Sequence, residues 1–182
     1  MTKVFRLFRP GREPGDAAGA YKWGGRWNNP GTAILYTASS LALACLEILV
    51  HIRDVNVVPG LVYSLVAIPD QWIEPFEGSD AWKQARLESR VLSREVGDRW
   101  IRERRDHRKP IGFQYHPRLG SVRQDRPQDR SPVLQVPSIV IPQESNYLLD
   151  PEDIEIKKLA WSTPKPFRFD PRLLDPNLRE NL

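Results

Sequence analysis

The chain has one cysteine, Cys45, which excludes an internal disulfide and any multi-cysteine metal site and fits a reducing compartment. Histidine is almost as scarce: His51, His107 and His116 are scattered, so neither a histidine-based metal site nor a histidine triad is expected. Long hydrophobic runs are missing. The longest apolar stretch, residues 41–52, is broken by Glu47 and His51 and falls short of the roughly 20 residues that span a bilayer. The opening Met1-Thr2-Lys3-Val4-Phe5-Arg6 reads straight into a strand with no signal-peptide core, so a cytoplasmic protein without membrane contact is expected. There is no G-x-G-x-x-G, no G-x-x-x-x-G-K-[ST], no H-E-x-x-H and no G-x-S-x-G. The usual signatures of dinucleotide folds, P-loops, zinc proteases and serine hydrolases are therefore absent.

What is present is a 182-residue chain with 40% apolar residues, enough for one packed domain. The net charge of +4 is concentrated: residues 103–130 hold eight Arg/Lys against four Asp/Glu, and the rest is close to neutral. Such a segment is usually solvated surface, although it can also bind a polyanion. A nucleic-acid-binding module is thus one reading, opposed by the lack of a helix-turn-helix or RNA-recognition signature.

Val4-Phe5-Arg6-Leu7-Phe8 alternates like a half-buried strand. Residues 9–32 hold six glycines and three prolines and read as a long loop, and its Tyr21, Trp23 and Trp27 make it an ordered, ligand-facing one. Residues 33–37 read as a short strand. A helix capped by Ser39 or Ser40 then runs to about Arg53, apolar nearly all round. Residues 61–68 are a strong strand, and residues 80–105 read as helix with a break near Ser93 and Gly97. The stretch of about 103–132 reads as a basic, mobile insertion. Residues 133–141 read as a strand interrupted at Pro137-Ser138, and residues 154–159 as a further strand. The domain is expected to span 1–160, with a Pro-rich tail over 161–182. Strands and helices mix without a βαβ rhythm, which argues for an α+β fold.

Three features bear on chemistry. Glu47 sits among Leu43, Leu46, Ile48 and Val50, where a carboxylate is costly unless paired or exposed in a pocket. An ordinary ion pair with Arg6 or Arg26 and a functional role both fit it. The run Gly24-Gly25-Arg26-Trp27-Asn28 pairs backbone freedom with a guanidinium fork suited to phosphate. Trp27 fits core packing better than stacking. Ser138 is a lone hydroxyl in an apolar strand beside a proline, as a serine bonded to a nearby carbonyl also would be.

Together these stretches resemble the RES domain, named for its Arg, Glu and Ser residues. The matching segments are Val4-Phe5-Arg6, Gly24-Gly25-Arg26-Trp27-Asn28 with Gly31, and Ile34-Leu35-Tyr36-Thr37-Ala38-Ser39. They continue with Leu43-Ala44-Cys45-Leu46-Glu47, then Val136-Pro137-Ser138 with Glu144, Asn146-Tyr147-Leu148-Leu149 and Pro151. The chain departs from the family by inserting roughly thirty residues between Gly97-Asp98-Arg99-Trp100 and the Val-Pro-Ser strand, and by Asp150 where Asn is frequent.

The resemblance implies an ADP-ribosyltransferase-like fold, a mixed sheet core with flanking helices. It implies a toxin that consumes NAD⁺ as substrate by hydrolysis or phosphorolysis, with phosphate as the co-substrate in the second case and no other cofactor or metal. Transfer of ADP-ribose to a protein acceptor is the alternative. The expected partner is an Xre-type helix-turn-helix antitoxin. Carried over by motif, the site positions are Arg6, Arg26, Tyr36, Glu47 and Ser138. Glu47, Tyr36 and Arg26 are expected in catalysis, and Arg6, Arg26, Tyr36 and Ser138 in holding the substrate.

Overall fold

The computed structural model describes residues 1–51, 60–76, 88–105 and 131–174. Among the described residues, seven strands form one mixed sheet in the order β4-β5-β6-β2-β1-β3-β7. The strands are β1 (Thr2–Phe8), β2 (Leu35–Ala38), β3 (Leu61–Ile68), β4 (Ile73–Pro75), β5 (Val133–Pro137), β6 (Ser145–Leu149) and β7 (Lys165–Phe167). Only β4 and β5 run parallel among these pairs. The helices are α1 (Ala18–Trp23), α2 (Leu41–Leu49), α3 (Arg90–Arg105), α4 (Ile154–Lys157) and α5 (Pro171–Leu174). The expected α+β architecture is therefore the observed one. No helix of the described residues is long and apolar enough to cross a membrane.

β1 pairs with β3 over its whole length, from Thr2↔Ile68 to Phe8↔Val62, whereas β1 meets β2 at one register pair, Phe5↔Ala38. Side chains alternate between the two sheet faces. One face carries Val4, Leu35, Val66, Val133 and Leu149, packed with Ile156 of α4. The other carries Leu134, Val136 and Leu148 against Trp27, Trp100 and Ile101, and continues with Leu7 and Ala38 against Leu43 and Ala44 of α2. The candidate site forms on this second face.

Several local readings change. Ser93 and Gly97 do not break the helix; α3 runs through both, and with Trp100 and Ile101 they form its buried stripe at helical spacing. Inside the glycine-rich segment the chain makes α1, closed by Gly24 in a positive-φ conformation. Residues 154–159 were expected as a strand but start as helix α4, because Asp153 caps it through the Glu155 and Ile156 amides. Residues 139–141 belong to a turn rather than a strand, and the strand that follows, β6, has no counterpart in the sequence reading. The tail is not wholly peripheral: β7 pairs with β3, and Phe169 is buried. Helix α3 ends at Arg105, where the helical reading over residues 80–105 placed its end. The helical readings over 52–53 and 80–87, the rest of the insertion to 130 and the tail beyond 174 lie outside the described residues.

Candidate active site

Helix α2 begins at Ser40, whose hydroxyl accepts from the Leu43 amide. Leu43 and Ala44 are buried against the sheet, and Glu47, three and four residues on, shares their face. The apolar stripe thus delivers a half-buried carboxylate to the sheet. Its Oε1 accepts from the Ser138 hydroxyl at 2.7 Å and from Asn146 Nδ2 at 2.6 Å. Among the described residues neither donor bonds Oε2.

The Ser138 hydroxyl is fully committed. It donates to Glu47 and accepts from the Val140 and Ile141 amides at 3.0 Å each, which uses its proton and both lone pairs. The Ser138 amide donates to the Glu144 carbonyl, closing the turn between β5 and β6. Glu144 Oε2 in turn accepts from the hydroxyls of Ser39 and Ser40. The turn that carries Ser138 is therefore bonded to the N-terminus of the helix that carries Glu47.

Arg26 stands on a loop shaped by its neighbours. Gly25 is obligatory there: an added Cβ would lie 2.5 Å from the Tyr36 hydroxyl. Tyr36 donates to Asn28 Oδ1 at 2.7 Å and accepts from the Trp27 amide at 2.9 Å, and burial pushes its phenol well above the usual range. Asn28, itself fully buried, ties the loop by donating to the carbonyls of Ala20, Asn29 and Thr32. Burial, and then the nearby Arg90, hold the Arg26 guanidinium below its ordinary pKa, while Glu47 opposes the shift. Arg26 thus lies within electrostatic reach of the carboxylate. Trp27 is 2% exposed and meets Phe76 edge to face, the packing role favoured from sequence.

Strand register separates Arg6 from this group. Tyr36, Ala38 and Asn146 share a face with Phe5, and Arg6 is the next residue on β1. Its guanidinium donates to the Pro14 and Asp16 carbonyls at 2.6 and 2.5 Å, and burial pushes its pKa down to about 10 against the pull of Asp16. Arg6 fixes the loop leading into α1. Tyr21 and Trp23 stand exposed on α1, with Lys22 Nζ 4.8 Å from the Trp23 ring centroid. A cavity of about 510 Å³, lined by Leu35, Ile156 and Trp161 among others, opens on the opposite sheet face and includes none of the Glu47 group.

Of the five sequence-derived positions, Glu47, Ser138, Arg26 and Tyr36 gather on one face, and Arg6 supports from the other. Sequence reasoning missed Asn146 and Asn28 as organising residues, although both lie in quoted motif segments. The arrangement gives a carboxylate anchored through one oxygen, with no donor on the other among the described residues, and an arginine within electrostatic reach.

Known proteins bear on this group. A protein from Yersinia enterocolitica named Toxin Res is 30% identical over 159 residues, covering 85% of this chain and 87% of its own. The Prs ADP-ribosylating toxin of a Sphingobium species is 28% identical over 166 residues, covering 86% and 84%. A chain from the crystal structure of the M. tuberculosis MbcT-MbcA toxin-antitoxin complex superposes with TM-score 0.62 at 13% identity, covering 91% of this chain and 83% of that one, and shows the shared fold. The sequence model described as RES domain matches residues 3–170, and the chain belongs to that family.

Proposed function

We propose that this protein is a toxin that breaks the nicotinamide–ribose bond of NAD⁺. The observation that carries the reading is the Glu47 carboxylate, held by two donors on Oε1, with no donor on Oε2 among the described residues, and within electrostatic reach of Arg26. When the bond breaks, its electron pair returns to the pyridinium nitrogen, so nicotinamide leaves neutral and needs no proton. The ribose becomes oxocarbenium-like, as in glycoside hydrolysis. Oε2 of Glu47 stabilises that cation and accepts the ribose 2′-hydroxyl, a preorganised contribution of about 3–4 kcal/mol. Arg26 grips the pyrophosphate, turning remote binding energy toward the reacting bond. Tyr36 offers its ring to nicotinamide. Water or phosphate then adds at the anomeric carbon and loses a proton. Apart from phosphate in that second case, the reaction calls on no cofactor.

A protein acceptor in place of water is the second reading, favoured by the name of the Sphingobium relative. The first bond cleavage is common to both. The solved complex that shares the fold contains an antitoxin. A small helix-turn-helix antitoxin of the Xre type covering the Arg26–Tyr36 side is accordingly part of this proposal, with the toxin acting on the cytoplasmic NAD⁺ pool.

The test is nicotinamide release by purified protein with and without phosphate, beside Glu47→Gln. The variant should stay folded and lose turnover by about 10²–10³-fold or more. Near-normal release by Glu47→Gln sinks the mechanism. ADP-ribose appearing only on an added acceptor supports the transferase reading. Co-expression of the antitoxin should restore growth.

A further inference from the structure

We propose that Asn146 is a positioning residue that, with Ser138, selects which oxygen of Glu47 reacts, an inference that deepens the role given to Glu47 above. A carboxylate only accepts hydrogen bonds, so the Asn146 amide must present Nδ2 to it, and the contact is short at 2.6 Å. The terminal torsion of a glutamate is broad and two-fold, so one donor leaves the carboxylate free to swing. Two donors converging on one oxygen from different directions stop that motion. Ser138 reaches Oε1 from the turn and Asn146 reaches it from the sheet. Both sit at the same end of the β5–β6 hairpin, where Pro137 pairs with Ser145 and Val136 with Asn146, so the two donors move as one body.

Asn146 can reach α2 because its neighbour across β2 is small. The residue directly opposite it is Ala38, buried against the α2 side of the sheet. Directly opposed side chains in a sheet lie about 5 Å apart, and a bulky residue at 38 would stand between the amide and the helix. The two donors also differ in what else they do. Ser138 caps the turn through two backbone amides, so its removal disturbs the turn as well as the carboxylate. The Asn146 amide has no such duty, which makes it the cleaner probe.

The experiment compares parent, Asn146→Ala and Asn146→Asp as full-length protein, by steady-state nicotinamide release, thermal melting and growth arrest on induced expression. Asn146→Ala should melt within a few degrees of the parent, keep KM within about twofold and lose kcat about 10- to 100-fold, the effect of one charge-assisted hydrogen bond. Asn146→Asp sets a second carboxylate beside Glu47 on α2, with Glu144 in the turn and Arg26 on the loop as the other nearby charges. At neutral pH it should be at least as impaired. Its activity should recover relative to the parent as pH falls, because a protonated carboxyl group donates where the carboxylate cannot. A parent-like kcat in Asn146→Ala, or an Asn146→Asp profile parallel to the parent's, overturns the proposal. If the parent releases no nicotinamide, the NAD⁺ reading fails and growth arrest becomes the readout. Arrest abolished by both Glu47→Gln and Asn146→Ala then supports the positioning role, and arrest that survives Asn146→Ala overturns it.

Discussion

Glu47 interrupts the sheet-facing apolar stripe of α2, and Ser138 and Asn146 hold one of its oxygens. Arg26 complements it through a fork that a lysine does not have. Arg26→Lys preserves the charge facing Glu47 but loses bidentate phosphate recognition, so kcat/KM for NAD⁺ should fall about ten- to a hundredfold, the effect of losing a charged hydrogen bond of about 1.5–3 kcal/mol. Unchanged kinetics would show that Arg26 serves as an ion partner of Glu47 and does not hold substrate. At this scale the sequence was informative wherever a residue broke its local pattern. A carboxylate in an apolar helix and a hydroxyl in an apolar strand stand out by themselves. Asn146 does not: an asparagine at a strand start is ordinary, and its partner is 99 residues away. Arg6 entered the reading as a possible ion partner of Glu47 and by motif, but register shows that it faces the other side and spends its fork on loop carbonyls.

Helix α3 acts as the saddle on which the Arg26 loop rests. The Ser93 hydroxyl donates to the Arg26 carbonyl, Arg94 Nε to the Gly25 carbonyl, and Asp98 accepts from both the amide and the side chain of Asn29. Gly97 lies in the middle, where an added Cβ would come within 1.8 Å of the Trp27 carbonyl. The glycine is therefore read by the loop backbone, and Trp100 in the same motif fills the core beneath it. Gly97→Ala forces the loop off the helix. It should raise KM for NAD⁺ by displacing Arg26 and destabilise the fold by about 1–3 kcal/mol, the usual range for overpacking. A melting temperature and KM equal to the parent's would refute the saddle. This contact also explains the misread break at Ser93 and Gly97. Small residues in a helical pattern mark either an interruption or a close approach, and composition cannot tell them apart. Helix α4 was misread for a related reason: residues 154–159 alternate apolar and charged like a strand, and the Asp153 cap outweighs that pattern.

Across the whole molecule, the long excursion after α3 leaves and rejoins the fold at one residue. Arg105 at the end of α3 bonds Asp150 at 2.7 Å, and the Asp150 amide donates to the Pro132 carbonyl at 3.1 Å. Arg104 reaches both Asp150 and Asp153, and Arg105 also reaches Glu152. Asp150 is 2% exposed, so this clasp is an interior one. Two arginines arriving at the end of α3 need a buried anion, and Asp150 supplies it. Both flanking ends are held there, and the entropy of closing a loop between fixed ends changes by only about 0.6 kcal/mol per doubling of its length. Replacing residues 106–130 by a short Gly/Ser linker should therefore leave a cooperative unfolding transition at a melting temperature no lower than the parent's, with nicotinamide release retained. Asp150→Ala in the otherwise intact chain should instead cost about 1–3 kcal/mol, since it removes the buried acceptor that the two guanidinium groups share and leaves Arg104 with Asp153 and Arg105 with the exposed Glu152. The pair of results separates anchor from excursion. A linker variant that folds but no longer cleaves NAD⁺ would show that residues 106–130 help build the site. An Asp150→Ala protein as stable as the parent would remove the clasp as the reason the insertion is tolerated.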